Sequence, residues 1–540
     1  MTSLSVSASG AAGDAIAAHV PTLVTDTVAS RLFAQNPTLW GPDAEAESRI
    51  RLSWVGLPRS SRPLVGEIEA LRDSFAERGL DHIVLCGMGG SSLAPEVICA
   101  TAGKDLVVLD SSHPDVVRAS LSDRLERTVV VVSSKSGSTV ETDSQRRAYE
   151  QAFRDAGIDP ADRLVVVTDP GSPLDQDSRA KGYRVVNADP HVGGRYSALT
   201  AFGLVPSGLA GVDVAALLDE AESVADLLAS DDEANPALRL GAAMGGTRPL
   251  RDKLALLADG SEIVGFADWA EQLIAESTGK NGTGVLPVVV ANAAAPEVAD
   301  QPDDVLVARL VAIDDETKAS GDEVRVGGSL GAQLLLWEAA TAVAGRLLGI
   351  NPFDQPDVES AKQAARGLLE SGAQEADPAA YADDAVEVRA LGGDWLGSSR
   401  TVAEAIDALL RQLPDRGYVA VMAYLDRIAD ADLADVRAAL AARTARPVTF
   451  GWGPRFLHST GQFHKGGPAE GVYLQITADP QADLPVPGRD FTFGQFIAAQ
   501  AGGDAQVLAE HGRPVLRLHL TAHDEGLAHV RAALAGEGRE

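Results

Sequence analysis

The chain has 540 residues, 45% of them apolar, enough to bury the cores of two or three domains at roughly 150 residues each. Its 46 Lys and Arg stand against 77 Asp and Glu, a formal charge of −31, and a field of that sign repels nucleic acid and anionic membrane surfaces. With only two cysteines, Cys86 and Cys99, there is no disulfide framework or cysteine-built zinc site, and no apolar run approaches the roughly 18 residues of a membrane span.

Residues 1–13 lack a basic stretch followed by a continuous apolar one, so no secretory signal is expected and a cytoplasmic protein is. Residues 14–75 carry helix-like apolar spacing interrupted by Pro21, Pro37 and Pro42, and Leu64–Gly79 reads as an amphipathic helix with a glycine stop. From residue 81 short apolar runs alternate with helices. His82–Cys86, Leu106–Leu109, Thr128–Val132 and Leu164–Thr168 are predicted strands, and Tyr183–Val186 is a further short apolar piece. Such strands separated by helices predict a parallel sheet covered on both faces, with ligands beyond the carboxyl ends of the strands.

Residues 213–238 read as an Ala-rich helix and an acidic linker. A second alternating block follows, with apolar runs at 254–257, 284–291 and 305–313 and helices at 266–275 and 330–348. Residues 370–400 are predicted to be irregular. Beyond them come a helix over 402–413 and apolar runs at 418–424, 447–450 and 472–477. The expected fold is α/β, with two doubly wound parallel-sheet domains. A helical arm over 1–75 would pack on a first domain at 76–228, and a second domain at 236–540 would carry a C-terminal extension.

Two loops of the first block suit an anion held by amides, hydroxyls and a few cations. Gly87-Met-Gly-Gly-Ser-Ser92 opens a helix after a strand, but Ser92 stands where a dinucleotide-binding turn has its third glycine. Serines at a helix N-terminus fit a compact phosphate better. Ser133-Ser-Lys-Ser-Gly-Ser-Thr139 offers Ser134, Ser136, Ser138 and Thr139 on one glycine-bent turn. Helix capping would account for either loop alone; together they read as a phosphomonoester cradle. The run Asp189–Gly203 then contains Gly-Gly-Arg-Tyr-Ser, where Arg195 supplies a fixed cation for an anionic ligand or a developing negative charge.

The paired loops resemble those of sugar isomerase (SIS) domains. Gly193–Ser197, Glu276-Ser-Thr-Gly-Lys280 and Asn351-Pro-Phe-Asp-Gln-Pro-Asp-Val-Glu-Ser-Ala-Lys362 resemble, in order, motifs of the phosphoglucose isomerase family, over about residues 80–365. The details are most similar to the isomerase half of transaldolase–phosphoglucose isomerase fusions, and nothing here resembles the transaldolase half. The resemblance implies two SIS-type domains, no metal or redox cofactor, and a homodimer. It also implies reversible exchange of glucose 6-phosphate and fructose 6-phosphate through a cis-enediol(ate). Isomerisation of another hexose phosphate such as mannose 6-phosphate, and a sensor that binds without turnover, are the alternatives.

By the same resemblance Glu276 moves the proton between C1 and C2, Arg195 stabilises the enediolate and Lys362 helps open the ring. Ser134, Lys135, Ser136 and Thr139 would hold the phosphate, with Gly90 and Ser91 near the sugar and Glu141 as a helper carboxylate. The reaction itself asks for such a pair, a carboxylate to take a carbon-bound proton and a cation for the oxyanion.

This sequence departs from the family pattern in three places. Asp357 stands where glycine or alanine is common, and Pro190 where a small polar or acidic residue is usual. The ring-opening histidine, expected between the Glu and Lys motifs, is missing, since no histidine lies between residues 192 and 457. The candidates to replace it are His464 and His458, in the polar, glycine-rich stretch 455–468, from this chain or a neighbouring subunit. His464 is favoured because Gly466 and Gly467 beside it would let substrate approach the backbone. A metal on this pair would lack a third ligand.

Overall fold

The computed structural model describes residues 4–371 and 378–536. Its strands are β1 (Leu4–Ala8), β2 (His82–Cys86), β3 (Val107–Leu109), β4 (Thr128–Ser133), β5 (Leu164–Thr168), β6 (Arg184–Asn187), β7 (Lys253–Asp259) and β8 (Leu286–Val289). There follow β9 (Val305–Val311), β10 (Glu323–Gly328), β11 (Tyr381–Asp383), β12 (Val386–Leu391), β13 (Tyr418–Tyr424), β14 (Val448–Trp452), β15 (Gly471–Ala478) and β16 (Val515–Leu520).

The first sheet is parallel throughout, in the order β3-β2-β4-β5-β6. β4 shows why. Its sequence, Thr-Val-Val-Val-Val-Ser, is buried at every position. Side chains alternate between faces, so Val129 and Val131 enter one apolar cluster while Val130 and Val132 enter another. Helices cover both faces, as a β-branched run without polar alternation requires.

The second sheet has the order β1-β10-β9-β7-β8 and is parallel except at its edge. That edge is β1, which pairs antiparallel with β10, Leu4 opposite Gly328 and Ala8 opposite Val324. The N-terminal arm is therefore not purely helical, and it serves both sheets. Helix Gly10–Thr25 packs on helix Pro236–Gly245, while helix Pro63–Ala76 packs on helix Ala201–Leu209 beside the first sheet. A five-residue alternating strand at a chain terminus is too short to distinguish from loop by pattern alone.

The C-terminal part, expected as an extension of the second domain, carries a third sheet of its own, in the order β11-β12-β16-β15-β13-β14. β11 and β12 form an antiparallel hairpin within 370–400, a stretch read as irregular and of which 372–377 lie outside the described residues. β13 joins this sheet to the second. Val419, Val421 and Ala423 face a core of the third sheet's own, whereas Tyr418, Ala420, Met422 and Tyr424 share a cluster with Ala255, Leu257, Val305 and Val307 of β7 and β9. Cys86 and Cys99 are buried free thiols, as small apolar residues would be. Among the described residues no helix is long and apolar enough to cross a membrane.

Candidate active site

The chemistry-bearing loops meet beyond the carboxyl ends of β2 and β4. Gly90 lies back to back with the Gly-Gly-Arg loop: a Cβ on it would stand 2.0 Å from the Gly194 carbonyl oxygen, and Ser197 Oγ donates to the Gly90 carbonyl at 3.1 Å. A Cβ on Gly89, at φ +54°, would stand 2.8 Å from Gln272 Nε2 and 2.9 Å from His458 Cβ, so both glycines make room for protein rather than ligand.

Arg195 is 3% exposed and holds three motifs together. Its Nε donates to Ser277 Oγ (2.7 Å), Nη1 to Gln355 Oε1 (2.9 Å), and Nη2 to the carbonyls of Pro352 (2.7 Å) and Asp354 (3.0 Å). Nη1 also lies 3.3 Å from Glu276 Oε1. Glu276 stands on the last turns of helix Phe266–Thr278, and its other oxygen accepts from Gln272 Nε2 one turn earlier at 3.0 Å. Lys280 binds the carbonyls of Asn351 (2.8 Å) and Asp354 (2.5 Å) and the Asp354 carboxylate (2.7 Å). Burial and the neighbouring Arg195 push its ammonium down to about 8 despite Asp354.

Around the Ser133–Thr139 loop, Ser134 Oγ accepts from the Gly137 amide at 3.2 Å and lies 3.4 Å from Thr139 Oγ1, while the exposed hydroxyls of Ser136 and Ser138 are 2.7 Å apart. Helix Val140–Asp155 begins there. Lys135 turns away: its Nζ donates to the carbonyls of Pro190 (3.1 Å) and Val192 (3.0 Å) and pairs with Asp169 (2.9 Å). It fastens the approach to the Gly-Gly-Arg loop. Ser91 is half-buried beside Gly90.

His458 and Gln500 reach this site from the C-terminal part. His458 Nε2 lies 3.1 Å from Glu141 Oε1, and Gln500 Nε2 donates to the same oxygen at 2.7 Å. Burial alone would push the Glu141 carboxyl up, but His458 and Lys362 hold it below its ordinary value. A cavity of about 150 Å³ opens here, lined among others by Ser138, Thr139, Glu141, Lys362, His458 and Gln500.

His464 is placed differently. It is 2% exposed, neither ring nitrogen has a hydrogen-bond partner, and the ring stacks on Tyr418 (6.2 Å) and meets Tyr473 edge-on (5.3 Å). Burial, with Lys465 and Arg513 nearby, holds it well below its ordinary value. The glycines that argued for it are packing sites. A Cβ on Gly466 would stand 2.3 Å from Asp357 Oδ2, and one on Gly467 2.7 Å from the Phe463 carbonyl oxygen. The preference of His464 over His458 is therefore reversed. Asp357 is also accounted for, since Gln462 of the same short helix donates to its carboxylate at 2.6 Å and accepts from its amide at 3.0 Å.

No family model matches the chain. It is similar to the probable glucose-6-phosphate isomerase of Natronomonas pharaonis, 29% identical over 409 residues, which are 67% of this chain and 95% of that protein. The probable glucose-6-phosphate isomerase of Methanococcus maripaludis is 28% identical over 54% of this chain and 79% of its own length. The glucose-6-phosphate isomerase of Rippkaea orientalis is 34% identical over 39% of this chain and 42% of its own. The chain is thus a homologue of proteins named glucose-6-phosphate isomerase or probable glucose-6-phosphate isomerase.

Solved structures agree on the fold. A hypothetical protein from Thermus thermophilus superposes with a TM-score of 0.58 at 24% identity, covering 68% of this chain and 99% of that one. A glucose-6-phosphate isomerase from Chlamydia trachomatis does so with 0.51 at 22% identity, covering 64% and 78%. Of the residues singled out in the sequence, the structure brings together Arg195 and Glu276, and it gathers Glu141, Lys362, His458, Ser138 and Thr139 around one cavity. It leaves His464 outside. The sequence reading missed Gln272, Ser277, Gln355 and Gln500. Ser277 and Gln355 lie inside motifs already quoted and were legible as polar neighbours of Glu276 and of the Asp354 turn. Gln500, in an Ala-rich helix, carries no local signal.

Proposed function

We propose that this chain interconverts glucose 6-phosphate and fructose 6-phosphate through a cis-enediol(ate), in the cytoplasm. The observation that carries the reading is the Glu276 carboxylate held 3.3 Å from the guanidinium of a buried, fivefold-engaged Arg195. Both hydrogens are exchanged within the sugar, so the reaction consumes no external oxidant.

In this reading Glu276 takes the C2 proton of the open aldose and returns it to C1. An arginine has five N–H groups, and four of them are bound elsewhere. The fifth faces Glu276. As the carboxylate gains its proton it loses charge, the Nη1–H is released, and it turns to the oxyanion that forms in the same step. The ring is opened by His458, whose acidic partner Glu141 keeps it polarised, with the Lys362 ammonium across the cavity. The phosphate sits on the Ser134, Ser136 and Thr139 hydroxyls and the first amides of helix Val140–Asp155. Lys135 contributes charge at a distance rather than a contact. We keep the homodimer as part of the proposal, although every group named here comes from one chain; sedimentation of the purified protein as a monomer would remove it.

The test is a coupled assay in which fructose 6-phosphate is supplied and glucose 6-phosphate is followed through a dehydrogenase, with mannose 6-phosphate in parallel. Turnover of fructose 6-phosphate to glucose 6-phosphate supports the reading. Turnover yielding only mannose 6-phosphate, or tight binding without turnover, would replace it.

A further inference from the structure

Behind the Glu141–His458 contact stands a buried row of polar groups. Ser112, in the loop after β3, is fully buried, and its Oγ donates to Gln500 Oε1 at 2.5 Å. Gln500, 4% exposed on helix Phe493–Glu510, donates its amide to Glu141 Oε1 at 2.7 Å. Glu141 Oε1 meets His458 Nε2 at 3.1 Å. The row thus runs hydroxyl, amide, carboxylate, imidazole, and its ends belong to different parts of the chain.

We propose that Ser112 and Gln500 are positioning residues that keep Glu141 ionised and fix His458 as the tautomer with its proton on Nε2. The logic is donor and acceptor arithmetic. The Ser112 hydroxyl can donate only if the Gln500 oxygen faces it, which turns the Gln500 amino group to Glu141. A reversed amide would set its oxygen against Glu141 Oε1, two acceptors in contact unless the carboxyl took a proton. With the amino group there, Glu141 is an acceptor from both sides, and the His458 nitrogen facing it must carry hydrogen. Nδ1 is then the nitrogen with the lone pair, and it is the one that exchanges a proton with the sugar. The same orienting role is played by carboxylates behind metal-bound imidazoles.

The other charges on this cavity act in the same sense. Lys362 and Arg366 come from helix Val358–Ser371, and Lys465 from helix Gly461–Gly466, where it is tied to Asp504 at 2.6 Å. All three are cations and favour an ionised Glu141. Because Gln500 arrives with the C-terminal sheet and Ser112 with the first, the docking of the two sets the tautomer.

This inference rests on the proposed isomerase reading only for its kinetic consequence; the tautomer is measurable without substrate. In histidine-labelled free protein, 15N resonances of His458 should show Nε2 protonated and Nδ1 bare at neutral pH. Gln500→Leu should raise the Nδ1–H form, and Ser112→Ala should do so more weakly. Kinetically, Gln500→Leu should lower kcat/KM on glucose 6-phosphate by ~10-fold or more, on the scale of impaired acid–base catalysis. It should spare the 4,5-dideoxy analogue, which lacks the hydroxyls that close a ring. Gln500→Glu sets a second carboxyl against Glu141, so the acidic limb of the pH profile should move up. An Nδ1–H tautomer in the unmodified protein overturns the proposal, as do equal losses on both substrates. If the unmodified protein turns over no sugar phosphate, the functional reading fails, and the tautomer still decides this one.

Discussion

Replacing Arg195 with lysine keeps the charge and removes the fork. An ammonium has three donors where the guanidinium has five, so at least two of the five acceptors around it lose their partner. Those acceptors are Ser277, Gln355, the Pro352 and Asp354 carbonyls and Glu276. Each buried acceptor left bare costs about 1–3 kcal/mol, so the 352–355 turn is destabilised by roughly 2–6 kcal/mol. The chemical step loses more specifically. Without an Nη1–H released as Glu276 is protonated, the oxyanion lacks its donor, and kcat should fall ~10²–10³-fold, the usual range for one such group. KM should change little, because the phosphate loop is untouched. The assay is the coupled isomerase assay, with amide exchange of residues 352–355 as the structural readout. If Arg195→Lys keeps its turnover within tenfold while that turn opens, the charge alone suffices and the release step is wrong.

Glu276→Gln should lower kcat by at least ~10²-fold with binding nearly intact, and near-normal turnover would remove Glu276 from the reaction. His458→Ala should slow turnover of cyclic substrate, whereas His464→Phe, which replaces a ring with no hydrogen bonds, should leave activity and thermal stability close to unchanged. Lys280 is charged below about 8 when folded and below about 10.4 when unfolded. Between those values the unfolded chain binds more protons than the folded one, so stability rises with pH across that window, and the destabilising effect of this group is full below about 8 and fades as pH rises through the window. Activity should move the opposite way, falling through a limb near 8 as the tie to Asp354 loses its charge; Lys280→Arg should push that limb upward. Ser136→Ala with Thr139→Ala should weaken binding of both sugar phosphates and of a plain phosphomonoester, by about 1.5–3 kcal/mol for each charge-assisted bond. Unchanged affinity would place the phosphate elsewhere.

Elements with a strong period or a long apolar run were legible in the sequence. Helix Leu330–Leu348 and strand Tyr418–Tyr424 fall where their apolar runs begin and end. β12 and β16 were not, because Val-Glu-Val-Arg-Ala-Leu and Val-Leu-Arg-Leu-His-Leu interleave charge with apolar residues between glycine- and proline-containing flanks. The meeting of Arg195 with Glu276 followed from motifs, yet the burial of that arginine did not, since Gly-Gly-Arg alone also fits an exposed turn. Choosing between His458 and His464 by neighbouring glycines failed for a related reason. A glycine marks close approach but does not say of what, and here Gly466 and Gly467 make room for Asp357 and Phe463. Gln500 is joined to Glu141 across a separation no local pattern reports.

The pairing of β1 with β10 also orders events on the ribosome. Leu4–Ala8 leaves the exit tunnel first, but its partner Glu323–Gly328 is made about 300 residues later, some 15–60 s at roughly 5–20 residues per second. Until then the second sheet has an open edge, and the arm's helices have only part of the surface they later cover. His458 and Gln500 come later still. A nascent chain can therefore complete the first sheet with its phosphate loop well before it has a working site, and an early stop after residue 371 would leave a folded cradle without its histidine.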